Sequence, residues 1–223
     1  DNTNDKMLPR HGHGIVPLVA GGRIFQQGRD LLRAVDLYTG RVLWEKEIPN
    51  LGQYSDYTGH QAGHLAIGSN CVALNDVVYV LGSQNRCGFS TSCLKLDAAT
   101  GAVLGEFFLP EGVAWGMISV MGDYLITTSD LLKFDNTIMD CYTTNYNNLE
   151  MVGPGDIASR NASMSLKLFV LNRHTGQTLW SRDAASGFFH NAIAAGNGKI
   201  FVVDQTHKQA IDVMSRIGVT VPT

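Results

Sequence analysis

The chain has 223 residues, 44% of them hydrophobic and 17% charged, with a formal net charge of −3. That balance describes a globular chain able to build a core, and it excludes a strongly basic surface of the kind that holds nucleic acid. Each apolar run is broken by Gly, Asn or Asp before it could span a bilayer, so no transmembrane segment is expected.

In chain order, residues 15–20 read as a strand, Gly21-Gly22 as a turn and 23–27 as a second strand. A third strand is expected over 31–36 and a fourth over 41–45. Between them lies Asp36-Leu37-Tyr38-Thr39-Gly40, with Trp44 four residues after the Gly. An Asp side chain can bond backbone two residues on, and Gly can take the positive φ of a tight reversal. The second unit repeats the order with strands over 71–74, 77–81, 93–97 and 102–107. Its first turn is Asn75-Asp76 and its corner is Asp97-Ala98-Ala99-Thr100-Gly101, with Gly105 where the first copy has Trp44.

The third unit has strands over 117–121, 124–128, 166–172 and 177–181, a Gly122-Asp123 turn, and the corner Asn172-Arg173-His174-Thr175-Gly176 followed by Trp180. A polar excursion over 129–165, holding Asn145, Asn147, Asn148 and Gly153-Pro154-Gly155, separates its second and third strands. A connection of that length is usually either functional or mobile. A fourth unit opens with strands over 191–195 and 199–203 around the hairpin signal Asn197-Gly198. The spacing of Ala210, Ile211, Val213, Met214 and Ile217 then predicts a helix over 207–217, stopping at Gly218.

A phrase said three times implies an array of like units, and four short strands per unit is the pattern of a propeller blade. The expected fold is therefore all-β: a partial β-propeller of four-stranded antiparallel blades with a short C-terminal helix. The units fall at about 11–48, 64–110, 115–183 and an incomplete 190–223. A Trp at a fixed place in repeated hairpins most simply wedges neighbouring units together. Rings close at about four to eight blades, so the chain is expected to be part of a longer polypeptide or to be completed by a partner. It begins at Asp1 without an initiator Met, as a mature exported product or an excerpt would.

The Ala-x-Asp-x-x-Thr-Gly-x-x-x-Trp phrase resembles the blade motif of pyrroloquinoline-quinone-type propellers. The resemblance is carried by Asp36, Thr39, Gly40 and Trp44, by Asn172, Thr175, Gly176 and Trp180, and in part by Asp97, Thr100 and Gly101. More narrowly, residues 19–25, Trp115-Gly116 and His190-Asn191-Ala192-Ile193 resemble large bacterial members called quinone-binding-like. The resemblance implies that the phrase spans third and fourth strands and that its Trp docks on the adjacent blade. It leaves two functional branches. Quinoprotein dehydrogenases carry an adjacent Cys-Cys disulfide and a Glu, Asn and Asp set around calcium; other members are non-catalytic scaffolds. This chain has no Cys-Cys pair and no Cys-x-x-Cys-His haem motif. The expected function is a non-catalytic, extracytoplasmic (periplasmic or secreted) binding or scaffold module within a larger protein or complex. The alternative is the propeller portion of a quinone-dependent dehydrogenase, with quinone and calcium as cofactors; no cofactor is expected otherwise.

No catalytic residue is assigned from the sequence. His11 and His13 precede the first unit, His60 and His64 the second, and His190 opens the fourth; Trp115 holds the matching place in the third. First strands of propeller blades line a central channel, so His13, His64 and His190 could converge as a metal or anion set. Each could equally cap a strand in its own blade. His60-x-x-x-His64 lacks the Glu of a zinc protease and is flanked by Gly59 and Gly63. Ser92-x-x-Lys95 falls on a strand, where residues three apart face opposite sides. Asp36 and Asp97 read as turn caps, and Asn161-Ala162-Ser163 is a glycosylation sequon. Cys87 and Cys93 bracket a hairpin-like tip and form the candidate disulfide, against the alternative of buried thiols. Tyr54, Tyr57, Tyr142 and Tyr146 on loops suit a small polar ligand or a protein partner.

Overall fold

The computed structural model describes residues 16–28, 30–51, 70–82, 90–111, 113–131 and 164–204. The chain is all-β and its sheets are antiparallel, with strands in sequential order as in propeller blades. It divides into two compact units, one holding the first eight strands and the other the last five.

In the first unit, β1 (Leu18–Ala20), β2 (Arg23–Gly28), β3 (Leu31–Asp36) and β4 (Val42–Glu47) form one sheet. A second sheet holds β5 (Cys71–Ala73), β6 (Val77–Leu81), β7 (Ser92–Asp97) and β8 (Val103–Phe108). The expected strands stand within two or three residues of these limits, because the turn residues between them fix where pairing stops. β1 lies beside β5. The faces between the two sheets share a core of Phe25, Leu32, Ala34 and Trp44 from one and Cys71, Val78, Val80 and Leu96 from the other. Alternation along each strand puts these residues on one face. Arg33, on the other face of β3, is buried and bonded through Nε to Glu45 Oε1 (2.7 Å) on the paired strand.

The second unit is a five-stranded sheet of β9 (Val113–Met121), β10 (Tyr124–Leu131), β11 (Met164–Asn172), β12 (Thr178–Gly196) and β13 (Lys199–Asp204). Four boundaries differ from the sequence reading, the first being β9, which starts at Val113 where the expected strand starts at 117. β10 runs on through Leu131 and β11 starts at Met164, so both ends of the expected excursion over 129–165 belong to strands. The expected strands over 177–181 and 191–195 are parts of one strand, β12, whose pairing shifts where it passes from β11 to β13. Asp204 holds that region, its two carboxylate oxygens accepting from the amides of Ala185 (2.7 Å) and Gly187 (2.9 Å). The hairpin at Asn197-Gly198 is as expected, with φ of 51° and 71°. Ile193, Ala195, Ile200 and Val202 of this hairpin pack on Ile126, Leu168 and Val170.

The described residues contain no helix, and the helix expected over 207–217 lies outside them. Among them no helix is long and apolar enough to cross a membrane.

Candidate functional site

The three repeated corners have one construction. Asp36 Oδ1 accepts from Tyr38 N (3.0 Å), Thr39 N (2.8 Å) and Thr39 Oγ1 (2.8 Å), and Gly40 N donates to the Asp36 carbonyl (3.0 Å). Asp97 repeats this with Ala99 N (3.0 Å), Thr100 N (2.8 Å) and Thr100 Oγ1 (2.8 Å). Asn172 accepts from His174 N (2.9 Å) and Thr175 N (3.1 Å). Gly40, Gly101 and Gly176 have φ of 71°, 72° and 76°, where L side chains are strained. The Thr39 hydroxyl and amide hold Asp36 below the usual carboxylate range, and Thr100 does the same for Asp97. These aspartates are ionised turn caps at neutral pH.

Trp44 is the wedge. Its Nε1 donates to the Ala98 carbonyl (3.1 Å) and its ring packs against Phe25, centroids 6.0 Å apart. A Cβ built on Gly101 would stand 2.7 Å from Trp44 Cε3 and 2.8 Å from Cδ2. The indole therefore sits on the second corner at a place that only glycine allows. The register is the same in each copy: Ala34 opposite Trp44, Lys95 opposite Gly105 and Val170 opposite Trp180. On the face that holds Gly105, the rings of Tyr79 and Phe107 (6.4 Å between centroids) are buried in place of an indole.

In each sheet the Thr-Gly corner shares one end with the tight turn before the sheet's second strand, and the longest connection leaves from the other. In the first unit, residues 52–69 and 83–89 connect strands at that other end. Asp30 (φ 57°) turns β2 into β3 there, and its Oδ1 accepts from Asn50 N (2.6 Å). Asn70, Ser90 and Ser92 are buried at the same end of the second sheet. Ser90 Oγ donates to the Ser92 carbonyl (2.8 Å), and Gly82 N donates to the same oxygen (2.9 Å). A Cβ on Gly82 would lie 2.5 Å from Ser92 Oγ, so the close approach depends on glycine.

The second unit has a hydroxyl network in the matching place. The ladder between β9 and β10 bulges between Thr127 and Ser129. Met117 N donates to Thr128 Oγ1 (3.0 Å) across the bulge, and Ser129 Oγ donates to the Ala114 carbonyl (2.5 Å). Trp115, opposite Ser129, is wholly buried, and among the described residues its Nε1 has no bonding partner. In the first unit, Asn70 Oδ1 and both amide atoms of Gln27 are likewise buried and without a partner among the described residues. Native interiors satisfy such atoms with protein groups or ordered water. The run Thr127-Thr128-Ser129 at a strand end was the sequence signal for this network, and the sequence reading did not use it.

The predicted site residues divide as follows. His11, His13, His60, His64, Tyr54, Tyr57, Tyr142, Tyr146 and Cys87 lie outside the described residues. His190 falls within β12. The expected set of His13, His64 and His190 therefore lies in part outside the described residues. Cys93 is wholly buried, and the expected pair Cys87 and Cys93 lies partly outside the described residues. The register puts Cys71 opposite Val80 and Cys93 opposite Leu81, on opposite faces of the sheet. Burial pushes the Cys71 thiol up to about 12, and the Cys93 thiol is pushed up as well.

Among the described residues no three of His, Cys, Asp or Glu stand close enough to hold a metal ion. Asp30 and Asp204 are engaged by backbone amides. Calcium takes six to eight oxygens with carboxylates among them, and the described residues assemble no such set.

No protein-family model matches the chain, and no curated protein matches it significantly. Among solved structures it is similar to a europium-containing methanol dehydrogenase, at 14% identity and a TM-score of 0.46, over 78% of this chain and 25% of that one. It is also similar to the quinohemoprotein alcohol dehydrogenase from Comamonas testosteroni, at 14% identity and a TM-score of 0.45, over 81% and 22%. A third is BamB from Moraxella catarrhalis, at 12% identity and a TM-score of 0.43, over 84% and 44%. The chain thus spans a quarter or less of the two dehydrogenases and under half of BamB.

Proposed function

We propose that this chain is a non-catalytic, extracytoplasmic β-propeller module that binds or scaffolds within a larger protein or complex. The observation that supports this best is the Trp44 socket. An indole bonded to the Ala98 carbonyl and pressed on Gly101 makes a rigid joint between two sheets. The repeated polar residues Asp36, Thr39, Asp97 and Thr100 are engaged in turn hydrogen bonds, which is a structural use of the repeat. A rigid frame with long connections leaving one end of each sheet suits the presentation of loops to a partner or a small polar ligand. Fold alone does not carry the chemistry of relatives.

The competing reading is a quinone-dependent dehydrogenase portion. Titration with pyrroloquinoline quinone and calcium, followed by quinone absorbance, separates the two. The scaffold reading expects no saturable change; saturable micromolar binding would overturn it. His13, His64 and His190 remain a candidate metal set. Elemental analysis of protein never exposed to a metal-affinity column tests it: one equivalent of a transition metal would support the set, and none would dismiss it.

A further inference from the structure

The buried side-chain polar atoms without a partner among the described residues are Gln27 Oε1 and Nε2, Asn70 Oδ1 and Trp115 Nε1. All lie toward the end of their sheet that carries the longest connection. Toward the corner ends, the side chains of Asp36, Asp97, Asn172 and Arg173 are all bonded, and so is the Trp44 indole. A buried polar atom left unpaired has given up its hydration and gained nothing in return. Where native interiors keep such atoms, a bound group or a functional role accounts for them.

Three of these four atoms belong to one joint. Gln27 alternates with Phe25 along β2 and pairs with Leu32, so it lies on the face of the first sheet that packs on the second. The level of Asn70 follows from the turns. A Cβ on Gly21 would stand 2.9 Å from the Asn75 carbonyl oxygen, and β1 and β5 lie side by side, each running toward its tight turn. Leu18 pairs with Phe25, so that contact sets Phe25 level with Val72 and Gln27 level with Asn70. Ser92 continues the second sheet's side of the joint. It alternates with Leu94 and Leu96, which belong to the shared core, and its hydroxyl lies over Gly82. Asn70, Ser90 and Ser92 are buried, and none of these residues carries a charge.

We propose that the loop end of the joint between the first two sheets binds a primary carboxamide, held by Gln27 and Asn70. The orphaned atoms are two carbonyl acceptors and one amide donor. A primary carboxamide has the complementary inventory, two N–H donors and one carbonyl acceptor. One N–H meets Gln27 Oε1 while the ligand carbonyl accepts from Gln27 Nε2, and the second N–H meets Asn70 Oδ1. A single planar group thus pairs all three, where hydroxyls would need two in register. An ion would find no opposite charge among Gln27, Asn70, Ser90 and Ser92, and an apolar ligand would leave the atoms orphaned. In the closed joint these atoms are shut off from solvent, so the ligand enters by parting the sheets at this end. The other end stays pinned by the Trp44 bond to the Ala98 carbonyl and by Gly21 on Asn75. Opening is favoured because the closed state gives the three atoms no partner. The proposal rests on the reading that this module binds a partner or a small polar ligand, and it names the chemistry and the place.

The test follows the side-chain amide NMR signals of Gln27 and Asn70 in the intact chain. Acetamide represents a small free ligand and N-acetylglutamine methyl ester a glutamine side chain of a partner peptide; the tighter of the two identifies the source. Acetate, N,N-dimethylacetamide and glycerol are the controls, for charge, for loss of the N–H donors and for hydroxyls. The expected result is a saturable shift of both signals with at least one primary amide and with none of the controls. Gln27→Met keeps the length of the side chain and removes its amide. It should weaken binding about tenfold or more, as the loss of hydrogen bonds to a buried neutral group does. Its thermal midpoint should hold or rise, because orphaned atoms are gone. The proposal is wrong if neither primary amide gives a saturable shift, if a control binds as well, or if binding survives Gln27→Met. A lowered midpoint in Gln27→Met would also sink it, since the amide would then be bonded in the free protein. Any such failure leaves the quinone titration, and with it the scaffold reading, to stand or fall separately.

Discussion

Replacing Gly101 by alanine loads the joint between the first two sheets at its tightest point, and Gly40→Ala supplies the matched control. Both glycines have nearly the same backbone, φ 72° and 71°, so an L side chain costs about 1 kcal/mol at either position. Their surroundings differ. A Cβ at 101 would stand 2.7, 2.8 and 3.2 Å from three carbons of the Trp44 ring, while a Cβ at 40 meets nothing within 4 Å. The ring cannot slide away without losing its bond to the Ala98 carbonyl and its packing on Phe25. Overpacking of this kind adds about 1–3 kcal/mol. Gly101→Ala should therefore cost about 2–4 kcal/mol in all, and Gly40→Ala about 1 kcal/mol. Urea unfolding followed by fluorescence measures both. In a Trp44→Leu background the excess at Gly101 should vanish, leaving two equal costs. Equal losses in the parent protein, or an excess that persists without the indole, would refute the wedge.

Four further outcomes are expected. Trp44→Phe keeps much of the ring packing but leaves the Ala98 carbonyl without its indole donor, and should cost about 1–3 kcal/mol by the same unfolding assay. Thr128→Val removes the acceptor for Met117 N inside the β9–β10 bulge; it should cost about 1–3 kcal/mol and speed hydrogen exchange at Met117. Acid should act unevenly on the corners. Asp36 and Asp97 titrate below their unfolded value of about 3.9, so the folded state binds fewer protons. Their contribution is complete above about pH 4 and is lost as pH falls through the folded values. Amides of Thr39 and Thr100 should lose exchange protection in that window. The amide of Thr175, held by the non-titrating Asn172, should not. Finally, in a Cys87→Ser, Cys141→Ser variant the remaining thiols, Cys71 and Cys93, should resist a thiol reagent at pH 8 until the chain is unfolded. Both are buried with raised titration, so rapid native labelling would contradict the sheet register.

The turns made most of this fold legible. Asp36, Asp97 and Asn172 announced where strands end because a short polar side chain and a following Gly are needed for that reversal wherever it occurs. Trp44 was legible as a wedge because a large indole repeated at one place has a packing role more often than a chemical one. The fusion of two expected strands into β12 was not legible. It depends on Asp204, which binds Ala185 and Gly187 from a distant position that no local pattern connects to them. Asp30 is similar, since its cap on Asn50 spans twenty residues. The candidate chemistry was the least legible part. Histidines before strands mark where loops begin, and whether such side chains converge is decided by loop paths rather than by spacing.

The most direct measurement of the blade packing is the NMR environment of the Trp44 indole. A slowly exchanging Nε1 proton, with Overhauser contacts from the ring to the Hα protons of Gly101 and an upfield shift of those protons, is what the Ala98–Gly101 socket predicts. A rapidly exchanging indole with no contact to residues 98–101 would mean that the two sheets do not pack through the repeated corner.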